Sequence, residues 1–170
     1  MKHEAPFTKN STHFKEVVMN DNTFGKIFLG GSKTIGRLPD KVASYLDLFM
    51  ESNEHFLIGD CHGADLAIQN YLFSKNYTNV TIYCSGKKCR FNVGTWPVKA
   101  VLGSSKNQGY DFYHQKDMAM IEDCDGALLI WDTHSAGTKN NINELKNKGL
   151  PIFTYRNDID DFRVTRRRKK

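Results

Sequence analysis

Residues 55–73 read HFLIGDCHGADLAIQNYLF. His55–Ile58 is a short apolar run of strand type, stopped at Gly59. Ala64, Ala67, Ile68 and Tyr71 then fall at i, i+3, i+4 and i+7, one face of a helix. The same pattern of strand, glycine turn and helix repeats on both sides. Upstream, Lys26–Leu29 (KIFL) stops at Gly30-Gly31, Pro39 marks a helix start, and Val42, Tyr45, Leu46 and Phe49 share a helical face. Downstream, Val80–Tyr83 (VTIY) is a third strand, followed by a long segment, 84–109, and a polar helix over about 110–123. Ala127–Trp131 (ALLIW) is the fourth and most apolar strand. A helix begins near Thr138 with Ile142 and Leu145 on its inner face, and Ile152–Tyr155 (IFTY) is the last strand. Short strands, apolar on both faces and alternating with helices, predict an α/β fold with a mainly parallel sheet covered on both sides. Right-handed crossovers make it a doubly wound, five-stranded sheet of order 3-2-1-4-5, with a long insertion after the third strand. Its ligand crevice belongs beyond the strand C-termini, between the first and fourth strands. The expected organisation is a flexible extension over 1–24, one domain over 25–156 and a basic tail over 157–170.

The 170 residues carry 24 Lys+Arg against 19 Asp+Glu, a formal +5, which taken whole suggests an acidic partner such as nucleic acid. The charge is unevenly placed. Arg163–Lys170 (RVTRRRKK) holds six of the basic residues and no acid. A second island, Cys84–Tyr110, holds Lys87, Lys88, Arg90, Lys99 and Lys106, again without an acid. Outside both islands 13 basic residues face 19 acidic ones, so the globule itself is acidic. The tail reads either as a solvated end or as a nucleic-acid contact. The 20 aromatics suffice for a core and argue against disorder. No apolar run approaches the ~20 residues that span a bilayer. MKHEAPFTKNSTH lacks the apolar segment of a secretory signal. Four cysteines, Cys61, Cys84, Cys89 and Cys124, without zinc-type pairing, predict free thiols, a cytoplasmic protein and no metal.

Three strand ends concentrate the chemistry. The first reads Gly30-Gly31-Ser32-Lys33, the second Gly59-Asp60-Cys61-His62-Gly63-Ala64-Asp65, and the fourth Asp132-Thr133-His134-Ser135-Ala136-Gly137-Thr138. All three belong on one edge of the sheet. Glycine admits close backbone approach, and a helix beginning directly after such a turn offers free N–H groups and a positive dipole end. Gly63-Ala64 and Gly137-Thr138 stand at such positions. Ser32, Ser135 and Thr138 add hydroxyls and Lys33 a charge, so a phosphate or another anion is the expected occupant. Glycine and short polar residues also serve any tight turn, with or without a ligand. Neither a Walker A loop nor a GxGxxG fingerprint is present, and no cofactor is expected. In the insertion, Lys87, Arg90 and Trp96 read either as a basic, aromatic lid on the crevice or as packing on the body.

The stretches GGSKTI, GDCHGADLAI and WDTHSAGTKNNI together resemble the SLOG superfamily, which takes in Smf/DprA, the LOG phosphoribohydrolases and the YspA/YpsA-like proteins. The second is the closest match: YspA-like members carry G-x-x-x-GAD-x-x-A, here Gly59, Gly63, Ala64, Asp65 and Ala67. Lys116-Asp117-Met118 is similar to their R-N-x-x-M region. The resemblance spans roughly 25–156 and implies a Rossmann-like fold that binds nucleotides or nucleotide-derived molecules. Some members act in anti-phage or nucleotide signalling, and many are homo-oligomers. LOG enzymes carry PGGxGTxxE, whose glutamate serves cleavage of an N-glycosidic bond. In this chain Asn141 occupies that place and Ser135-Ala136 replaces the paired glycines. A catalytic carboxylate would have to come from Asp65, Asp60 or Asp117, each of which also reads as a structural cap or turn residue, with Glu144 a distant fourth. Three readings result: a binder or sensor of a nucleotide-derived phosphorylated molecule, a nucleotide N-glycosidase, and a nucleic-acid-binding module that uses the tail and the insertion.

Overall fold

The computed structural model of the chain describes residues 24–102 and 110–166. The strands are β1 (Lys26–Gly31), β2 (His55–Gly59), β3 (Val80–Ser85), β4 (Val98–Val101), β5 (Gly126–Trp131), β6 (Ile152–Arg156) and β7 (Asp161–Thr165). The helices are α1 (Asp40–Glu51), α2 (Ala64–Ser74), α3 (Tyr110–Asp123) and α4 (Ala136–Asn147). They form one open sheet of order β4-β3-β2-β1-β5-β6-β7, parallel except for β7. The α/β class and the mainly parallel sheet are as expected. Among the described residues the sheet has seven strands, a correction of the expected five. The five expected strands occupy the centre in the expected order, and one further strand is added at each edge.

Each added strand has a physical reason. Val98–Val101 pairs in parallel with Ile82–Ser85 inside the long insertion, but its side chains are largely exposed. It is held by its backbone ladder and shows no apolar alternation. Asp161–Thr165 pairs antiparallel with Ile152–Arg156, in the segment expected as tail. Its anchor is Phe162, whose ring centroid lies 3.9 Å from that of Tyr45 and 5.4 Å from that of Tyr155. The expected extension at 1–24 lies outside the described residues except for Phe24, as do residues 103–109 and 167–170.

Strand β1 shows how the sheet divides the core. Ile27 and Leu29 face the layer under α1 and α2, with Phe49, Phe56 and Ile68. Phe28 faces the layer under α3 and α4, with Met120, Leu129 and Leu145. The helices change face between β1 and β5, which are hydrogen-bonded neighbours. A crevice therefore opens beyond their C-termini. No helix among the described residues is long and apolar enough to cross a membrane.

The expectation of four free thiols is corrected. Cys84 and Cys89 form a disulfide with a Cα–Cα distance of 5.1 Å, closing the turn after β3, while Cys61 and Cys124 are free. Spacing alone could not show that the chain doubles back so tightly at this strand end.

Candidate functional site

The turns after β1 and β5 meet helix α3 around a cavity of about 530 Å³. Gly30, Gly31, Ser32 and Lys33 line it from the first turn, and Cys61 and Asp65 from the second. Ser135, Gly137, Thr138 and Asn141 line it from the third turn and α4, and Tyr113, Lys116 and Asp117 from α3. Sequence reasoning placed Gly59, Gly63 and Ala64 with the ligand. They lie instead behind the lining and hold the turns together. Gly63 has φ +82°, and a Cβ there would stand 2.4 Å from the Lys33 carbonyl oxygen. The second turn can thus rest on the first, and the Ala64 N–H donates to the Ser32 carbonyl at 3.2 Å. A Cβ on Gly59 would stand 2.6 Å from Asp65 Oδ2, so this glycine makes room for a buried carboxyl.

Asp132 shapes the third turn. Its Oδ1 accepts from the His134 and Ser135 N–H groups at 2.9 and 2.7 Å, and its Oδ2 from Ser135 Oγ and Thr34 Oγ1, both at 2.7 Å. Burial acts upward on this carboxyl, but the bonds from Thr34, Ser135 and His134 outweigh it and hold it well below the usual carboxylate range. Asp132 therefore ties the first turn to the third and sets the start of α4. The first-turn N–H groups of α4, at Ala136, Gly137 and Thr138, have no intrahelical acceptor, and these residues line the cavity. Ser32 Oγ accepts from the Asp132 N–H at 3.1 Å and lies 3.2 Å from Thr138 Oγ1. Ser32 can give its own proton to Thr138, which leaves the Thr138 hydroxyl free to donate into the cavity. Lys33 Nζ has no carboxylate within ion-pair distance among the described residues and lies 5.5 Å from the Tyr113 ring centroid.

The opposite wall is a cluster of buried carboxyls around one ammonium. Lys116 is 1% exposed, and its Nζ lies 3.3 Å from Asp60 Oδ1 and 3.2 Å from Cys61 Sγ. Asp60 accepts further bonds from the Arg90 N–H at 2.9 Å and from Arg90 Nη2 at 3.2 Å. Burial pushes Asp60 up, but the Arg90 bonds and the Lys116 charge outweigh it, so its carboxyl lies below its ordinary value. Among the described residues, Asp65 has the Cys61 N–H as its one direct donor, at 3.1 Å, and burial pushes its carboxyl up to about 6 against the pull of Lys116. Asp117 is likewise raised by burial, opposed by Lys116 and by the hydrogen bond from Asn141. Burial also pushes the Cys61 thiol up, aided by Asp65 and opposed by Lys116 and Arg90. Burial acts downward on Lys116, but Asp65, Cys61, Asp117 and Asp60 hold its ammonium charged. Asp65, raised to about 6 near Asp60, which Arg90 and Lys116 hold in its ionised form, can exchange a proton with a bound molecule.

Of the three candidate carboxyls, Asp65 and Asp117 line the cavity and Asp60 lies behind it, 1% exposed. Of the insertion residues, Lys87 is exposed and outside the lining. Arg90 stands outside too, but its guanidinium lies 4.5 Å from the Tyr113 ring centroid and braces that wall. Trp96 is a core residue, 6% exposed, with Nε1 donating to the Tyr77 carbonyl, and so is not part of a lid. Sequence reasoning missed Asp132, Lys116 and Tyr113 as site residues. The D-x-H-S order at 132–135 could have revealed the first, since a short acid that accepts N–H groups two and three residues on is a turn signature. Nothing local marks a lysine on a polar helix as buried.

One group of metal-type ligands occurs among the described residues, Asp60 with Cys84 and Cys89, within 4.8 Å of one another. The two sulfurs are bonded to each other, and Asp60 is held by two cations, so this arrangement offers no thiolate to a metal. Comparison of the chain with protein-family models, curated proteins and solved structures gives no match.

Proposed function

We propose that the cavity binds a nucleotide or a nucleotide-derived phosphorylated small molecule. One observation carries this reading: the free N–H groups at the start of α4, the Thr138 hydroxyl and Lys33 share a single cavity with a buried carboxyl cluster. The first set suits a phosphate. The second suits the polar, donor-bearing remainder of such a molecule. The SLOG-like turns support the same ligand class, since the first and third of them line the cavity and the second contributes Asp65 to it.

Gly137 gives a clean test. A Cβ there meets nothing within 4 Å, so Gly137→Asp leaves the fold intact and places a carboxylate at the anion site. Acidic residues in a first helical turn also favour the helix. Titration calorimetry of the native chain with nucleoside monophosphates should give saturable binding that Gly137→Asp weakens by at least about tenfold, roughly 1.4 kcal/mol. Native mass spectrometry of freshly purified protein should retain a bound species. The absence of binding across the nucleotide panel, or equal binding by the variant, would refute the assignment.

A second reading, N-glycosidic hydrolysis, is favoured by the position of Asp65 and its titration near neutrality in the same cavity. It requires release of free base from nucleoside monophosphates, abolished in Asp65→Ala.

A further inference from the structure

We infer that the Cys84–Cys89 disulfide is a redox switch that sets the wall of the cavity through Arg90. The switch stands on the contacts of Arg90, and its effect on affinity rests on the phosphorylated-ligand reading above. Cys84 is 1% exposed inside β3, where it pairs with Ala100. Cys89 is half-buried in the irregular turn that follows, and Lys87 and Lys88 of that turn are exposed. The bridge spans five positions, and cross-links over short loops restrain the unfolded chain least. Its main consequence is therefore local: it fixes the residue next to Arg90. Arg90 lies outside the cavity lining yet holds three groups of the site. Its N–H and Nη2 bind Asp60, the partner of Lys116, its Nη2 lies 3.0 Å from Cys61 Sγ, and its guanidinium lies 4.5 Å from the Tyr113 ring centroid. Lys116, Cys61 and Tyr113 all line the cavity.

The two sulfurs differ in access, which sets the chemistry. A thiolate of a dithiol reductant attacks the half-buried Cys89 Sγ. The S–S bond breaks, and Cys84 leaves as a thiolate and takes a proton. The second thiol of the reductant then attacks the mixed disulfide and releases Cys89. Two electrons and two protons pass to the protein, and the dithiol becomes a disulfide. Sulfurs that no longer share a bond cannot stay at bonding distance. Cys84 is held by burial and by the β3–β4 ladder, so Cys89 gives way and draws Arg90 with it. Reduction also creates thiol donors beside Asp60, whose carboxylate lies within 4.8 Å of both sulfurs, and these compete with Arg90 for it. The displacement has a limit. The Val93 N–H donates to Gln69 Oε1 at 3.0 Å and the Phe91 carbonyl accepts from Gln69 Nε2 at 3.3 Å, so the chain beyond Arg90 stays anchored.

The test uses the full chain, oxidised or reduced with dithiothreitol. Thiol titration of the denatured protein should find only Cys61 and Cys124 free in the oxidised form, and all four cysteines after reduction. In NMR spectra the Arg90 amide should exchange at least about tenfold faster after reduction, and the Tyr113 ring signals should shift, while the Val93 amide stays protected. Cys84→Ser/Cys89→Ser should reproduce the reduced spectrum, and reduction of the wild type decides even if that variant fails to fold. Reduction should weaken the affinity for nucleoside monophosphates by at least about fivefold, and Arg90→Ala should abolish this dependence. Four free thiols in the oxidised preparation, or an Arg90 amide and a Tyr113 ring indifferent to reduction, overturn the switch. Nucleotide binding of equal affinity in the two forms overturns its coupling to the cavity, and a redox effect that survives in Arg90→Ala overturns the role of Arg90. Spectra that respond to reduction while neither form binds nucleotide overturn the phosphorylated-ligand reading and leave the switch standing.

Discussion

Asp65→Asn is the sharpest probe of the carboxyl cluster, because its effect should depend on pH in a fixed direction. In the folded chain Asp65 titrates at about 6, raised from an ordinary 3.8 by burial. Between those two values the folded state keeps a proton that the unfolded chain has already lost. Stability therefore falls as pH rises through this window, and the deficit is constant above about 6. At about 1.4 kcal/mol per pKa unit, ionising this carboxyl costs the fold roughly 3 kcal/mol. Asparagine removes the titration but keeps an oxygen for the Cys61 N–H. At acid pH the protonated wild type and the variant are near-isosteres and should be similarly stable. At neutral pH the variant should be the more stable, the gap widening by about 3 kcal/mol between roughly pH 4 and pH 7. Urea denaturation of both proteins across that range measures the gap, and carboxyl NMR gives the Asp65 midpoint directly. A gap that stays flat with pH, or that turns against the variant as pH rises, would refute the burial argument. Were the variant also to lose ligand affinity, the cost would mark Asp65 as a residue kept for the site at the expense of stability.

Two further outcomes test the scaffold around the site. Asp132→Ala removes the acceptor of four hydrogen bonds, three within the third turn and one from Thr34 that ties it to the first, and should cost about 2–4 kcal/mol at neutral pH. Asp132 lies well below the usual range when folded, so its contribution is present above its ordinary value and fades on acidification. Denaturation curves should accordingly converge at low pH. Phe162→Ala should cost about 3 kcal/mol because the ring is buried against Tyr45 and Tyr155, whereas Arg163→Ala on the exposed side of the same strand should stay within about 0.5 kcal/mol. Thermal or urea unfolding separates the two.

The central sheet was legible because its strands are apolar on both faces and its helices keep a regular inner stripe. KIFL, HFLI and ALLIW need no knowledge of their neighbours to be read as buried strands. The edge strands were not legible. Val98–Val101 is exposed along most of its length, so its periodicity carries no burial signal. In Asp161–Thr165 the single inward residue, Phe162, is followed by a charge run that dominates any local reading. The turns of the site were visible as glycine and hydroxyl clusters, because their local chemistry is demanding. Which of those residues face the ligand was not visible. Gly59 and Gly63 are required by packing against Asp65 and Lys33, contacts between segments far apart in sequence or across turns. For Trp96 the sequence left a lid and packing on the body open, and the structure shows the second, with the ring buried and its indole N–H on the Tyr77 carbonyl. The pairing of Lys116 with Asp60, 56 positions away, has no local signature.

The charge of the chain gains a different meaning once partners are known. The basic island at 84–110 suggested a cationic lid, yet its described cations do not supply the cavity. Arg90 is committed to Asp60, Lys99 to Asp123 at 2.6 Å, and Lys87 points to solvent outside the lining. Two cations line the cavity: Lys116, which is paired with Asp60, and Lys33, from a turn in the acidic globule, which has no carboxylate within ion-pair distance among the described residues. The remaining attraction for an anion comes from backbone N–H groups, whose direction is fixed by the helix and which carry no mobile countercharge. A polyanion gains affinity mainly from many free lysines and arginines over a broad face. A small phosphorylated molecule gains it from a few oriented donors in an enclosed space. The proposed site relies on the second arrangement, and under that reading the excess of basic residues and the chemistry of the cavity are separate properties of this chain.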